Sequence, residues 1–215
     1  MTVTIPLQQQ LDYTELKYCL RAIDKFLPGI PVVIIGAQVP EWITGVTQIK
    51  IKDIVGRKQL TIKTKIHAAL QYDPEIICIH DDIYLLRPFE FKYYYWGDLT
   101  LNKSESGARI LRNELQAQGK PISHYDIHNP FIYEASKFEA LTTFSSDTVV
   151  KSAYGNYWQI PAELMPDVKI DRKTDALDIK AIIKNRPYFS SGSLGVRSCL
   201  PVLEELFPQK SCFEI

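Results

Sequence analysis

Apolar positions in the first 86 residues fall into two alternating rhythms. Residues 3–7 form a short β-rich run, holding Pro6 and closed by the polar Gln8-Gln9-Gln10. Leu16, Cys19, Leu20, Ile23 and Leu27 then recur at spacings of three and four, the stripe of an amphipathic helix. Asp12-Tyr13-Thr14-Glu15 has the form of a capping box before it, with Asp12 accepting from first-turn amides and Glu15 reaching back. Pro28-Gly29 stops the helix, and residues 31–36 are a continuous apolar run of the kind found in a central parallel strand. Residues 47–51 alternate as a third strand. Lys58 to Tyr72 reads as a helix with Leu60, Ile62, Ile66, Ala69 and Leu70 turned inward. Asp73-Pro74 ends it, and residues 75–80 make a second fully apolar strand. Strand, helix and strand in this order predict right-handed crossovers in an α/β sheet, in the manner of a nucleotide-binding fold.

After Pro88 the rhythm breaks. Tyr93-Tyr94-Tyr95-Trp96 is a dense aromatic cluster, able to stack on a sugar or base or to pack a junction. A helix is predicted over 106–118, a short strand over 131–133, a helix over 136–141, a strand over 187–192 and a closing helix over 196–206. Residues 143–185 are weakly patterned, and 169–178 are rich in charge. With no internal repeat or linker, the expectation is one unit over 1–215, its nucleotide-binding half at 1–88 and its acceptor half at 89–215.

Composition narrows the function. Lys+Arg and Asp+Glu each number 25, so the chain lacks the basic excess of a protein that coats nucleic acid. The four cysteines form no CxxC pair, which speaks against a zinc site or a disulfide framework. The first residues lack the charge and apolar core of a signal peptide, and no apolar run reaches the ~18 residues of a membrane span. The expected location is therefore the cytoplasm. No Walker pattern, GxGxxG or GxSxG is present, against P-loop enzymes, typical dinucleotide binders and standard α/β-hydrolases.

The candidate chemistry sits at a strand end. His80-Asp81-Asp82 follows four apolar residues, and ligands of open α/β sheets bind outside the carboxyl ends of the strands. Two adjacent carboxylates there repel each other and are costly to desolvate, which a divalent Mg²⁺ or Mn²⁺ would relieve. The plainer alternative is a solvated turn. Arg57, Lys58, Lys63 and Lys65 flank or occupy the preceding helix and could hold a diphosphate, or could form a solvated face. Lys58 opposes the helix dipole, so structure alone explains it poorly. In Tyr125-Asp126-Ile127-His128-Asn129-Pro130, His128 is a candidate metal ligand, general base or phosphate partner, weighed against a loop histidine held by backbone. His124 is less constrained, and His67 reads as structural. Ser190-Ser191-Gly192-Ser193 has the look of an anion-binding loop.

Taken in order, residues 15–23, 33–36, 40–42, 80–83, 125–130, 204–208 and 211–214 resemble a group of small bacterial and phage glycosyltransferase-like proteins, similar to the Stealth sugar-phosphate transferases of capsule synthesis. That resemblance implies a GT-A-like fold, a Rossmann-like, mostly parallel sheet flanked by helices, with an irregular C-terminal half. It implies a nucleotide-diphosphate sugar as donor and a divalent cation, Mn²⁺ or Mg²⁺, on Asp82, with Asp81 contacting the donor sugar or ribose. His128 matches an active-site histidine of that group and counts also as a metal ligand. His80 stands where the group commonly has Asn and is grouped with the donor contacts. Arg21 and Lys58 would face the diphosphate or support the donor pocket, with Arg57, Lys65, Pro6 and Leu7 on the same side. The Stealth enzymes open with an aspartate-containing strand motif that residues 4–7 lack, which favours ordinary glycosyl transfer over sugar-1-phosphate transfer.

The expected activity is thus a metal-dependent glycosyltransferase acting on a glycan or other hydroxyl acceptor, with Asp126 or His128 as base. Polysaccharide synthesis is the broad setting, and the acceptors weighed are capsule or teichoic glycans, a lipid-linked sugar and a hydroxymethylated phage DNA base. Neutral charge ranks that nucleic-acid acceptor last. A different class, a non-catalytic module binding carbohydrate or protein through residues 93–96, is the outside alternative. The sequence leaves the oligomeric state open.

Overall fold

The computed structural model describes residues 1–10, 12–100, 106–171, 173–192 and 195–215. The chain runs through β1 (Thr2–Leu7), α1 (Thr14–Phe26), β2 (Val32–Gly36), β3 (Thr47–Lys50), α2 (Lys58–Tyr72) and β4 (Glu75–Cys78). It continues through β5 (Ile83–Leu85), β6 (Tyr93–Tyr95), α3 (Ser106–Ala117), β7 (Phe131–Glu134) and α4 (Ala135–Phe138), the last followed by a 3-10 turn. The remaining elements are α5 (Val150–Tyr157), β8 (Ala162–Leu164), β9 (Lys169–Ile170), α6 (Ala176–Ile183), β10 (Tyr188–Ser191) and α7 (Val196–Leu206).

The main sheet has the order β3-β2-β1-β4-β7. Its first four strands are parallel, and β7 closes the edge antiparallel to β4. Both faces are covered, so the strands need apolar residues on both sides. Val3, Ile5, Leu7, Ile34 and Ile77 pack with Leu16, Cys19 and Leu20 of α1 on one face. Val33, Ile35, Ile76, Cys78, Phe131 and Tyr133 pack with Ile66, Ala69 and Leu70 of α2 on the other. Two smaller sheets, β5-β10-β9 and β6-β8, complete the chain. The fold is mixed α/β, a mostly parallel sheet flanked by helices, as expected.

From β1 the chain crosses outward to β2 and β3, then returns to place β4 on the other side of β1. This reversal is a topological switch point, and the crevice at the carboxyl ends of β1 and β4 is where such sheets bind ligands. The β4–β7 ladder pairs Cys78 with Phe131. Residues just after β4 therefore lie beside residues just before β7.

Several expectations change in detail. The capping box does not form: Asp12 Oδ1 accepts from Thr14 N at 2.9 Å and Thr14 Oγ1 at 2.6 Å. Glu15 turns away to Ser191, because a buried hydroxyl partner waits there. The strand expected to reach His80 ends at Cys78. The weakly patterned stretch contains α5, β8, β9 and α6. Three of the clustered aromatics form β6 and pack a junction, with ring centroids of Tyr93–Phe131 5.0 Å apart and Tyr94–Tyr188 6.0 Å apart. Cys19, Cys78 and Cys199 are buried, Cys212 is exposed, and all four are free thiols. Among the described residues no helix is long and apolar enough to cross a membrane.

Candidate functional site

A cleft of about 720 Å³ opens at the switch point. The end of β1 contributes Pro6, Gln8 and Gln10, and α1 contributes Glu15. The turn after β4 contributes His80, Asp81 and Asp82. Opposite them stand Asp126 and His128 from the segment before β7, Lys151 from α5, and Asp167 and Lys169 near β9. Lys58 and Lys65 of α2 and the exposed Trp96 complete the lining.

On the acidic side, carboxylates are brought together with no cation among the described residues bonded to Asp81, Asp82 or Glu15. Asp81 Oδ2 accepts from Gln10 Nε2 at 2.6 Å, and Glu15 Oε1 accepts from Ser191 Oγ at 2.6 Å. Burial, then the neighbouring Asp82 and Glu15 charges, push the Asp81 carboxyl up to about 7. Burial also raises Glu15, with Asp82 adding to the shift. Asp82 is raised by burial although His128, Lys169 and Lys151 pull it down. His80, desolvated by burial and facing Lys151, is held well below the usual imidazole range.

The basic side is braced by α5. Its residues Val150 to Asn156 are all buried, polar ones included, and Lys151, Ser152 and Asn156 each bond to the segment 123–129. Asn156 Oδ1 accepts from Ser123 N at 2.7 Å, and its Nδ2 donates to Ser123 O at 2.7 Å. Ser152 Oγ accepts from the amides of Tyr125 and Asp126 at 3.0 and 3.1 Å. Lys151 Nζ donates to Ile127 O and Asn129 O, each at 2.8 Å, and to Asn129 Oδ1 at 3.1 Å. Gly155 allows this approach, since a Cβ there would meet the Tyr125 ring at 2.6 Å. His128 is thereby presented to the cleft, and Asp167 grips it twice, at Nδ1 (2.7 Å) and at the backbone amide (3.0 Å). Burial works to raise Asp167, but its bonds to His128 outweigh that and hold it low.

Of the residues singled out from the sequence, Pro6, Lys58, Lys65, His80, Asp81, Asp82, Asp126 and His128 meet in the cleft. Lys65 is there but committed: it is buried, donates to Leu7 O at 2.7 Å and pairs with Asp53 at 2.5 Å. Gly36 leaves room for its ammonium, where a Cβ would come within 2.7 Å. Three are placed elsewhere. Arg21 is locked to both carboxylate oxygens of Glu214 (2.7 and 2.8 Å) and to Phe207 O, because α1 packs its far side against the C-terminal segment. Arg57 reaches outward to Asp147 and Ser146. Leu7 points its side chain into the core and offers only its carbonyl to Lys65.

His124 is buried in the lining, while His67 lies exposed on α2 beside Gln71. Lys63 donates to Ser145 O at 3.3 Å, away from the cleft. In the suspected anion loop, Ser191 is taken by Glu15 and Tyr84, and Ser193 lies outside the described residues. The site residues not foreseen are Gln10, Glu15, Lys151, Asp167 and Lys169. A lysine directly after Val149 and Val150 is the signal that could have found Lys151.

Does this donor set suit a divalent cation? Among the described residues no group of three or more His, Cys, Asp or Glu closes into a ready metal centre. The strand-end pair, however, is hard oxygen, desolvated and mutually repelling. Such a pair fits Mg²⁺ or Mn²⁺, which keep waters and take further ligands from substrate phosphates. His128 fits less directly, because its Nε2 accepts from Lys169 Nζ at 2.9 Å.

No protein-family model matches the chain, and no curated protein matches it in sequence. Among solved structures, the chain is similar to the galactosyltransferase LgtC, determined in complex with donor and acceptor sugar analogs. The TM-score is 0.54 at 9% identity, over 98% of this chain and 96% of that one. The likeness is one of fold, and the fold is that of the GT-A glycosyltransferases.

Proposed function

We propose that this protein is a glycosyltransferase that moves a sugar from a nucleotide-diphosphate sugar to a hydroxyl acceptor. The observation that supports it most is the coincidence of an acidic strand end with the switch-point cleft, in a chain similar throughout to a galactosyltransferase. As the acceptor oxygen bonds to the anomeric carbon, the bond to the β-phosphate oxygen breaks, and its electron pair leaves with the nucleoside diphosphate. A divalent cation held by Asp82, with Asp81 in support, would neutralise the charge gathering on that diphosphate. Lys58, exposed at the start of α2 and lining the cleft, is free to approach the same phosphates. Asp126 takes the acceptor proton. Its amide is fixed by Ser152, so its carboxylate is held in the cleft by backbone anchoring. His128 supports the cation, and His80, kept neutral, offers a hydrogen bond to the donor.

Thermal melting with a panel of nucleoside diphosphates, with and without Mn²⁺, tests this reading. One nucleotide should stabilise the protein by about 2.7 kcal/mol at a concentration 100 times its Kd. Asp82→Asn should abolish the Mn²⁺-dependent part and leave the fold intact. No stabilisation anywhere in the panel would overturn the proposal. Product analysis then decides the reaction: released nucleoside diphosphate marks glycosyl transfer, and monophosphate marks sugar-1-phosphate transfer.

A further inference from the structure

His128 cannot ligate a metal as the site stands. An imidazole has two ring nitrogens, and both are engaged. Nδ1 lies 2.7 Å from the Asp167 carboxylate, so it carries the proton and donates. That leaves Nε2 with the lone pair a metal would need, and the Lys169 ammonium donates to it at 2.9 Å. One lone pair serves one partner. The backbone of Lys169 is fixed, while its stem is free to turn. It opens β9, which pairs in parallel with β10 through Ser190, and its Cε would come within 3.2 Å of a Cβ added at Gly192. Glycine at position 192 leaves room first for the Asp171 carboxylate, which a Cβ would meet at 2.2 Å, and then for the lysine stem. From there its charge is felt by Asp82 and by Glu15, where it lowers both carboxyls against their burial.

We propose that Lys169 is a displaceable stand-in cation: it occupies the ligand atom of His128 and must leave it before a divalent cation can bind there. This rests on the reading that Asp82 and His128 serve a divalent cation. Two positive centres cannot share one imidazole nitrogen, and they repel at this range. A flexible lysine stem can swing where a backbone group could not. Once displaced, the ammonium is in position to meet the phosphates of the donor, which would make metal and donor binding mutually reinforcing. The metal alone should accordingly bind weakly to the native protein.

The test measures Mn²⁺ binding without any nucleotide, by the electron paramagnetic resonance signal of the free ion. Lys169→Met should bind Mn²⁺ at least fivefold more tightly than the native protein. The same substitution in a His128→Asn background should give a clearly smaller gain, the part due to charge on Asp82 alone, since the ligand atom being released no longer exists. An equal gain in both backgrounds would mean simple loss of positive charge, and no gain in either would mean that Lys169 does not compete; each overturns the proposal. Lys169→Gln, which keeps a donor without the charge, repeats the measurement if the Met variant fails to fold. If Mn²⁺ binds the native protein, and Asp82→Asn removes it, a flat response to Lys169→Met defeats this inference alone. If no variant binds Mn²⁺ even with nucleoside diphosphate, the metal reading falls with it.

Discussion

The two segments that face each other across the cleft are held by opposite means. The turn carrying His80, Asp81 and Asp82 is springboarded from an apolar strand. Its side chains gain few bonds: Asp81 has one from Gln10, and the acids crowd one another. The segment carrying Asp126 and His128 is bonded at nearly every step to the buried polar groups of α5 and to Asp167. One side is left electrostatically unsatisfied, and the other is satisfied in advance. The contrast teaches a division of labour. The acidic side is a place for a ligand to add something, while the basic side is a frame that fixes where the ligand must sit.

Substitutions should break this contrast unequally. The largest effect is expected for Lys151→Met, which strands the carbonyls of Ile127 and Asn129 and the Asn129 side chain in the interior. The cost should be about 3–5 kcal/mol, measured by urea denaturation. A cost below about 1 kcal/mol would show that the basic side is not braced as described.

Asp81→Asn should act in the other direction. The folded carboxyl titrates near 7 against an ordinary 3.8, so between these values the folded protein holds a proton that the unfolded chain releases. Its contribution is therefore fully present below pH 3.8 and is lost as pH rises through 7. At pH 8 the substitution should stabilise by up to about 4 kcal/mol and flatten the stability profile between pH 4 and 7. Unfolding curves across that range would show a destabilised variant if the acids were already well paired.

The smallest effect belongs to Arg57→Ala, outside both segments. Its partner Asp147 is about half exposed, as is Arg57 itself. The loss should be under about 1 kcal/mol, with nucleotide binding unchanged within about twofold in the same melting assay. A large loss of nucleotide binding would restore Arg57 to the donor side.

The same contrast explains what was legible in the sequence. The acidic turn advertises itself, because an apolar run ending in Asp81-Asp82 is a local pattern. So does the helical stripe from Leu16 to Leu27, and with it the β-α-β order that sets the switch point. Asp126 and His128 stand together in one polar segment and are readable for that reason. Their support is not. A helix buried on all sides has no polar face, so α5 shows no 3.6-residue period and was lost in the weakly patterned stretch. Glu15 was readable only as a local capping residue, because its partner Ser191 arrives from the far end of the chain. Asp167 and Lys169 matter through His128, a contact that sequence spacing does not encode. Arg21 was misplaced for the converse reason: a cation near a good motif is drawn to it on paper, while the C-terminal Glu214 claims it in space.

The pairing of Cys78 with Phe131 has an evolutionary side. A single ladder aligns the two segments that face each other across the cleft, and everything between them is an excursion that begins and ends at that ladder. The exposed loops of that excursion are freer to change length than β5, β6 and residues 123–125, which pack the core or brace the cleft. A slip of one residue in the ladder, by contrast, would turn every β7 side chain to the opposite face. Natural diversification of this fold should therefore accumulate insertions between the two strands and tolerate almost none within them.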